Sequence, residues 1–304
     1  MKKFAFLIVC LAALTMAGCG QKDDNKGQKQ GQTQDKEVVV PNGVPIAPKP
    51  VIHTPSKGDM DISAAGNANT PVLRLEEGKP LDLSQLMGQK KSLQEQIEEN
   101  IDTIRYQAEQ GKAEYQNLYG ICYENGWGVG QDVKEAFKWY TKAADQNNPQ
   151  ACNALGNFYR MGTAVNPDAA KALAWYQKGA EGHDTQAMLN LGNCYYYGMG
   201  VEKNEKTAFK WWKDAADAGN AYAMAQLGDS YYYGIGVEKD LAKAIEYLTQ
   251  ATDKNIPSAQ YRLGILYYTG NGVNQDQTYA KLLMQKARDG GMVEAQEFLD
   301  KYFK

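Results

Sequence analysis

The chain has 304 residues, of which 43% are hydrophobic and 23% charged, and its formal net charge at pH 7 is −3. The sequence contains no basic block, so we expect no nucleic-acid partner. There are 2 histidines, and no spacing of histidine, cysteine or carboxylate residues matches a metal site or a catalytic motif. We therefore expect neither a cofactor nor a metal ion.

Residues 1–18 are predicted to be a lipoprotein signal peptide. Lys2 and Lys3 precede an apolar stretch that is too short to span a membrane and that ends in small residues before Cys19. This ending resembles the lipobox of bacterial lipoproteins, which implies a diacylglycerol on the Cys19 thiol. The alternative is an ordinary secretory signal that is cut near Cys19. We expect a lipid-anchored protein of the bacterial envelope that faces the periplasm, with the outer membrane as one candidate location.

Residues 19–90 are predicted to be a lipidated, mostly disordered tether. Seven of the 10 prolines lie between Pro41 and Pro80, and no aromatic residue occurs from Leu7 to Arg105. Such a composition buries too little apolar surface to offset the chain entropy lost on folding. The stretch VVVPNGVPIAPKPVIHTP favours extended, polyproline-like conformations. Only VLRLEE, from Val72 to Glu77, could form a short strand.

Residues 91–304 repeat with a period of 36 residues, which indicates five copies of one structural unit. Each copy is predicted to form two helices, called A and B. Ala187, Leu191 and Tyr195 form the predicted apolar stripe of one helix A. Ala208, Trp211 and Ala215 form that of the following helix B. The markers of the period are Gly120, Gly156, Gly192, Gly228 and Gly264; Tyr123, Tyr159, Tyr195, Tyr231 and Tyr267; and Ala136, Ala172, Ala208, Ala244 and Ala280.

The ends of the repeat region are predicted to be half-repeats that cap the stack. The segment from Ser92 to Gly111 has the pattern of a helix B without its own helix A, and the segment from Val293 to Phe303 that of a helix A without its helix B. One helical hairpin cannot bury its apolar faces alone, whereas stacked copies can. The pattern therefore predicts an α-solenoid.

The segment AMLNLGNCYYYGMGVEKNEKTAFKWWKDAADAG resembles the SEL-one-like repeat, a relative of the tetratricopeptide repeat, and the resemblance extends over about residues 111–303. It implies an all-α fold: a right-handed α-solenoid of five 36-residue helix-turn-helix repeats with half-repeat caps, preceded by the disordered tether. In this family the concave face is lined by helix A. One branch of the family carries paired cysteines in every repeat. Here Cys122, Cys152 and Cys194 lack such pairing and are predicted to be buried or half-buried thiols.

Known members of this family are adaptors and scaffolds, and some exported lipoproteins among them are immunity proteins that sequester phospholipase effectors of type VI secretion systems. The resemblance thus implies a non-catalytic protein-binding solenoid, with immunity against such an effector as the specific expectation. One alternative is an envelope assembly scaffold. The other is a cell-wall-active enzyme of the penicillin-binding or β-lactamase-like type, because cysteine-rich relatives have been linked to penicillin binding.

The candidate binding site follows from positions that vary between copies. Two of these positions follow the recurring tyrosine, and they face the groove if the geometry of the family applies. The groove changes from amide-rich to tyrosine-rich along the chain, and tyrosine is enriched in protein interfaces. The alternative is that these rings only fill space against the next helix A. We expect another protein in the groove, and membrane contact only through the lipid on Cys19. The candidate residues are Asn153, Asn157, Arg160, Asn193, Tyr196, Tyr197, Tyr222, Asp229, Tyr232, Tyr233, Tyr261 and Tyr268.

Overall fold

The computed structural model describes residues 73–76, 79–81 and 93–303. The predicted signal peptide, Cys19 and most of the predicted tether lie outside these residues. Two short strands, β1 (Leu73–Glu76) and β2 (Lys79–Leu81), pair antiparallel with Leu73 opposite Leu81. This hairpin is an ordered element within a segment that the sequence predicts to be mostly disordered, and β1 coincides with the VLRLEE stretch.

Thirteen helices occupy the rest of the described residues, and the five-repeat prediction is confirmed. They are α1 (Leu93–Glu99), α2 (Ile101–Glu109), α3 (Ala113–Asn125), α4 (Val133–Ala144), α5 (Pro149–Met161), α6 (Ala169–Glu181), α7 (Thr185–Tyr197), α8 (Glu205–Asp217), α9 (Ala221–Tyr233), α10 (Leu241–Asp253), α11 (Pro257–Thr269), α12 (Gln277–Asp289) and α13 (Val293–Tyr302). Helices A are α3, α5, α7, α9 and α11, and helices B are α4, α6, α8, α10 and α12. None of the described helices is both long and apolar enough to cross a membrane.

Caps and left-handed turn residues set the boundaries of each helix pair. Helix α7 ends at Gly198, whose φ of 72° is left-handed and whose N–H donates to the carbonyl of Cys194. Asn204 then begins α8 by accepting a hydrogen bond from the Thr207 N–H at 3.0 Å. The second left-handed position of the turn is glycine in four repeats, but it is Ala164 (φ 62°) in the second repeat.

A large side chain of helix B packs directly on the recurring glycine of helix A. A Cβ atom added at Gly192 would lie 2.5 Å from the Trp212 ring, so no larger residue fits there without a shift. The core residue of α8 is therefore Trp212 (1% exposed), and the prediction of Trp211 was wrong by one position. The same contact recurs in every repeat, between Gly120 and Tyr140, Gly156 and Tyr176, Gly192 and Trp212, Gly228 and Leu248, and Gly264 and Met284.

The recurring tyrosine of helix A is half-buried at the edge of the core in four repeats and buried in the fourth repeat, where it is Tyr231 (9% exposed). Tyr195 is half-buried, whereas its neighbour Cys194 is 1% exposed and completes the buried stripe. The equivalent Tyr231 stacks on Tyr247 of its own helix B, with ring centroids 5.8 Å apart. It also meets Phe209 of the preceding helix B edge-on at 5.5 Å. The tyrosine therefore packs between successive B helices. A packing role was predicted, but as part of the apolar stripe of helix A.

Both ends of the solenoid carry half-repeats. Helix α13 is the predicted helix A without its partner. At the other end, the single helix predicted over Ser92–Gly111 is divided into α1 and α2 by Asn100. The Asn100 amide donates to the carbonyl of Gln96 at 2.7 Å, and this local bond competes with a continuous helix. Ile97 and Ile104 nevertheless bury against the first repeat (4% and 1% exposed).

The three cysteines of the repeats are buried thiols, as predicted. Cys122, Cys152 and Cys194 are at most 2% exposed, and none is in a disulfide. Burial raises the pKa of the Cys152 thiol to about 11 and that of the Cys122 and Cys194 thiols to about 12. These side chains therefore stay protonated and serve as small apolar residues.

Consecutive helices pack against each other along the whole stack. In addition, helices A of neighbouring repeats contact each other directly, α5 with α7 and α9 with α11, while no two described B helices approach as closely. The A helices therefore line the inner side of the curve. We call the surface of α3, α5, α7, α9 and α11 that points away from the B helices the inner face.

Candidate protein-interaction site

The predicted site residues all belong to helices that form the inner face, but their exposure differs widely. Tyr197 is 45% exposed, and Met161, at the equivalent position of the preceding repeat, is 49% exposed. In contrast, Asn193 is 2% exposed and Tyr261 9%. Some predicted residues are thus open to a partner, whereas others support the solenoid.

Two of the predicted asparagines bind the helix B of their own repeat. The Asn157 side-chain oxygen accepts a hydrogen bond from the Tyr176 hydroxyl at 2.7 Å, and Arg160 Nε donates to that hydroxyl at 3.2 Å. One repeat later, the Asn193 oxygen accepts from the indole N–H of Trp212 at 3.0 Å. These bonds satisfy the polar atom of a buried aromatic side chain. The primary role of Asn157 and Asn193 is therefore to hold helix B.

Another asparagine pair links neighbouring repeats. Asn190 donates from its side-chain amide to the oxygen of Asn153 at 2.8 Å, from α7 to α5. Both residues lie along the line where two A helices meet. The bond fixes the angle between the second and third repeats, so Asn153 contributes to the shape of the inner face.

A buried ion pair joins the fourth and fifth repeats, and the sequence analysis missed its basic member. Arg262 of α11 contacts Asp229 of α9 at 2.7 Å, with side chains 8% and 13% exposed. The same guanidinium donates to the Tyr233 hydroxyl at 2.6 Å. Burial raises the pKa of Asp229, and the charge of Arg262 offsets part of this rise. Two predicted partner-binding residues, Asp229 and Tyr233, are thus held by Arg262.

The third to fifth repeats place seven tyrosines on the inner face, and we call them the tyrosine cluster. Tyr196 and Tyr197 form an edge-on pair with ring centroids 4.9 Å apart, and Tyr232 and Tyr233 form the same pair one repeat later at 4.8 Å. At the C-terminal end Tyr268 packs edge-on against Phe298 of α13 at 5.2 Å. The members of the cluster are Tyr196, Tyr197, Tyr222, Tyr232, Tyr233, Tyr261 and Tyr268.

The tyrosine cluster also contains hydrogen-bond donors that the described residues do not satisfy. The hydroxyls of Tyr196, Tyr232 and Tyr268 form no hydrogen bond with another described residue. Among the buried polar atoms without a partner in the described part of the chain are Nε2 of Gln186 and the hydroxyl of Tyr302. Gln186 lies in the first turn of α7, and the Tyr302 ring of α13 contacts Tyr268 with ring centroids 5.5 Å apart. A ligand rich in carbonyl acceptors fits such a surface.

Acidic side chains are too dispersed in the described residues to form a metal centre. No group of three or more histidine, cysteine, aspartate or glutamate side chains there is arranged to hold an ion. His183, the described histidine, is an exposed turn residue with a left-handed φ of 64°.

Removal of Arg262 is expected to destabilise the fourth and fifth repeats. Arg262→Ala leaves Asp229 buried without its counter-charge, which costs about 3–5 kcal/mol in the free energy of unfolding. The double variant Asp229→Ile, Arg262→Leu introduces the residues of equivalent positions, Ile265 and Leu118, and should recover most of this loss. Urea denaturation of the three proteins measures the effect. A double variant as unstable as the single variant would contradict this account.

Asp184 is expected to make the fold less stable as the pH rises. Burial raises the pKa of this helix cap from 3.8 to about 6, although the Ala187 N–H donates to it at 2.7 Å. The folded chain then binds a proton more tightly than the unfolded chain, so stability falls between about pH 4 and pH 6. Asp184→Asn, which matches Asn148 and Asn220 of the neighbouring repeats, should add about 1–3 kcal/mol at pH 7.5 and nothing below pH 4.

The control for Asp184 is Asp168→Asn, at an exposed cap where the equivalent residue is Asn204. A backbone hydrogen bond from Lys171 lowers the pKa of Asp168, so this substitution should give no gain at pH 7.5. Thermal melts of both variants and of the unmodified chain at pH 3.5, 5 and 7.5 make the comparison. Equal responses of the two variants to pH would show that burial of Asp184 has no energetic effect.

Comparison with known proteins gives a consistent family. The Sel1 repeat model matches residues 113–148, 149–184, 185–220, 221–256 and 257–292. A Sel1 repeat protein from Oxalobacter formigenes is 32% identical with a TM-score of 0.61, and the match covers 64% of this chain and 78% of that one. A protective antigen of uropathogenic Escherichia coli with an SLR fold is 31% identical with a TM-score of 0.58, and the match covers 73% of this chain and 48% of that one.

The chain therefore spans about half the length of the Escherichia coli antigen. An immunity protein from Pseudomonas aeruginosa is 25% identical over 63% of this chain and 71% of that one, and its TM-score of 0.46 is too low to indicate a function. A search of curated proteins gave no match. Five matched repeats in unbroken succession cover more than half of the sequence, and so the chain belongs to the Sel1 repeat family.

Proposed function

We propose that the chain is a non-catalytic protein-binding module whose binding surface is the tyrosine cluster. The observation that carries this proposal is the convergence of seven tyrosines from three consecutive repeats on one inner face, all except the buried Tyr261 being half-buried or exposed. Tyrosine rings supply large contact area at low cost in side-chain entropy, and their hydroxyls supply hydrogen bonds. Sel1 repeat proteins are generally non-catalytic interaction scaffolds, which agrees with this function.

The polar contacts between repeats favour a long-lived complex. The Asn153–Asn190 bond and the Asp229–Arg262 ion pair fix neighbouring A helices relative to each other before any partner arrives. A preformed surface loses little entropy on binding, so more of the contact energy appears as affinity. Tight and lasting binding suits an inhibitor. We therefore propose an immunity role, in which the chain binds and neutralises a toxic protein such as a phospholipase-type effector of type VI secretion.

The tyrosine cluster is expected to be necessary for partner binding but not for folding. The triple variant Tyr196→Ala, Tyr197→Ala, Tyr232→Ala removes one exposed and two half-buried rings and leaves Tyr233, which holds Arg262, in place. Affinity capture from native cells, quantified by mass spectrometry, should show at least a tenfold loss of the partner. Circular dichroism should show unchanged helicity.

The matched control is Tyr106→Ala, because Tyr106 is 58% exposed and lies on α2, away from the cluster. A partner that both variants capture as well as the unmodified chain does would place binding elsewhere. A deletion strain then separates the two protein-binding roles. Death only in the presence of the captured toxin supports immunity, whereas an altered envelope in its absence supports an assembly scaffold.

We propose in addition that a lipid on Cys19 holds the protein at the periplasmic side of the envelope. The support is the sequence alone, in which small residues follow an apolar stretch immediately before the cysteine. Cys19→Ser should move the protein from the membrane fraction to the soluble periplasmic fraction, as an immunoblot of fractionated cells would show. An unmodified chain that is itself soluble would contradict the anchor.

A further inference from the structure

We propose that the tyrosine cluster binds the proline-rich segment Pro41–Val51 of the same chain. This segment, PNGVPIAPKPV, contains four prolines and a single charged residue, Lys49. The inference rests on the proposed function only for the location of the binding surface. Its consequence is that a foreign partner must compete with an internal ligand.

The chemistry of the cluster favours a polyproline ligand. Such a chain has no internal hydrogen bonds, so its carbonyl groups can accept bonds from tyrosine hydroxyls of the cluster. Its proline rings pack on aromatic faces, which is how aromatic-lined grooves recognise proline-rich peptides. A ligand in β-strand conformation would in addition need acceptors for its N–H groups. The carboxylate of Asp229 is not free to accept such bonds, because it is already bound to Arg262.

The spacing of apolar residues along the segment matches the spacing of neighbouring A helices. A polyproline II helix has three residues per turn and a rise of about 3.1 Å per residue, so side chains three apart recur every ~9 Å on one face. Pro45, Pro48 and Val51 form such a face. Helices in direct contact lie about 8–10 Å apart, and the A helices α9 and α11 are in direct contact. Successive apolar residues of the segment can therefore meet tyrosines of successive repeats.

The positive charge of the segment is complementary to the C-terminal end of the cluster. Tyr261 packs edge-on against Phe298 of α13 with ring centroids 6.4 Å apart, and Glu294 and Glu297 belong to the same helix. Burial raises the pKa of Tyr261, the positive charge of Arg262, which is paired with Asp229, opposes this rise, and the two carboxylates add to it. Lys49 can approach them when the segment runs along the cluster. The cation of the segment would then lie near two carboxylates instead of in an apolar environment.

The connection is long enough for this contact. Between Val51 and Leu93 lie residues 52–92, in which the β1–β2 hairpin brings Leu73 opposite Leu81 and adds almost no length. The roughly 30 residues outside the hairpin could extend over roughly 110 Å and as a flexible coil would span roughly 30 Å. Three to four repeats at about 10 Å each separate α1 from the cluster. Because the two sites share one chain, the effective concentration of the segment is in the millimolar range. An intrinsic Kd of about 10–100 μM would be enough to keep the cluster occupied.

Titration of a labelled peptide into three forms of the full chain tests the inference. The peptide has the sequence of residues 41–51 and an N-terminal fluorophore, and fluorescence anisotropy measures its binding. The first form is the unmodified chain. The second carries Pro41→Ser, Pro45→Ser, Pro48→Ser and Pro50→Ser, which vacates the cluster. The third adds Tyr197→Ala and Tyr232→Ala to these four changes.

The second form should bind the peptide at least tenfold more tightly than the unmodified chain, because the internal competitor is lost. The third form should bind at least tenfold more weakly than the second. A peptide whose four prolines are replaced by alanine should not bind to any form. Met161→Ala in place of the tyrosine changes is the matched control, since Met161 is equally exposed in the second repeat, outside the cluster. It should leave the affinity unchanged.

Two results would overturn the inference. Absence of peptide binding to the second form would show that the cluster does not recognise the segment, and equal binding to the first and second forms would show that the chain does not occupy its own site. Neither result affects the proposed function if the foreign partner is still captured through the tyrosines. Conversely, if the peptide binds but no foreign partner is captured through the tyrosines, this inference holds and the proposed function is wrong.

Discussion

The contact between one glycine of helix A and one large side chain of helix B determines most of the architecture. In each repeat a tyrosine, tryptophan, leucine or methionine of helix B packs directly over this glycine of helix A. The large residue differs between repeats, but in every repeat it occupies the space that a Cβ atom on the glycine would fill. Since a solenoid repeat contacts only its neighbours, a fault in this contact cannot be compensated by distant parts of the chain. The period of 36 residues is therefore maintained without insertion from Gly120 to Gly264.

Polar residues of the inner face stabilise the solenoid and shape the binding surface at the same time. Asn157 and Asn193 satisfy the polar atoms of the helix B aromatics, which could not otherwise be buried at low cost. Asn190 and Arg262 then connect one helix A to the previous one. The proposed binding surface is consequently shaped by the same bonds that align the repeats. Its curvature should change little when a partner binds, because bending would break buried hydrogen bonds.

The sequence predicted the features that depend on the period and on local chemistry, such as five repeats, helix caps and buried thiols. It did not predict features that depend on the rotation of one helix against another. Trp211 and Trp212 are adjacent and equally apolar, so only the position of Gly192 decides which of them is buried. The Arg262–Asp229 pair was missed because its members are 33 residues apart and occur in one pair of repeats only. Asn100 divides the N-terminal half-repeat into two helices through a side-chain hydrogen bond, which the 36-residue period does not indicate.

The inner face is divided into two chemically different halves, and this division limits where binding energy can arise. In the second and third repeats the amide groups are largely used within the solenoid, so a ligand there would have to replace existing hydrogen bonds and would gain little. From Tyr196 onward the surface presents ring faces and hydroxyl donors instead. Contact with these rings removes apolar area from water without breaking a bond of the fold. Binding strength should therefore increase toward the C-terminal repeats, where the proposed internal and foreign ligands would compete for the same tyrosines.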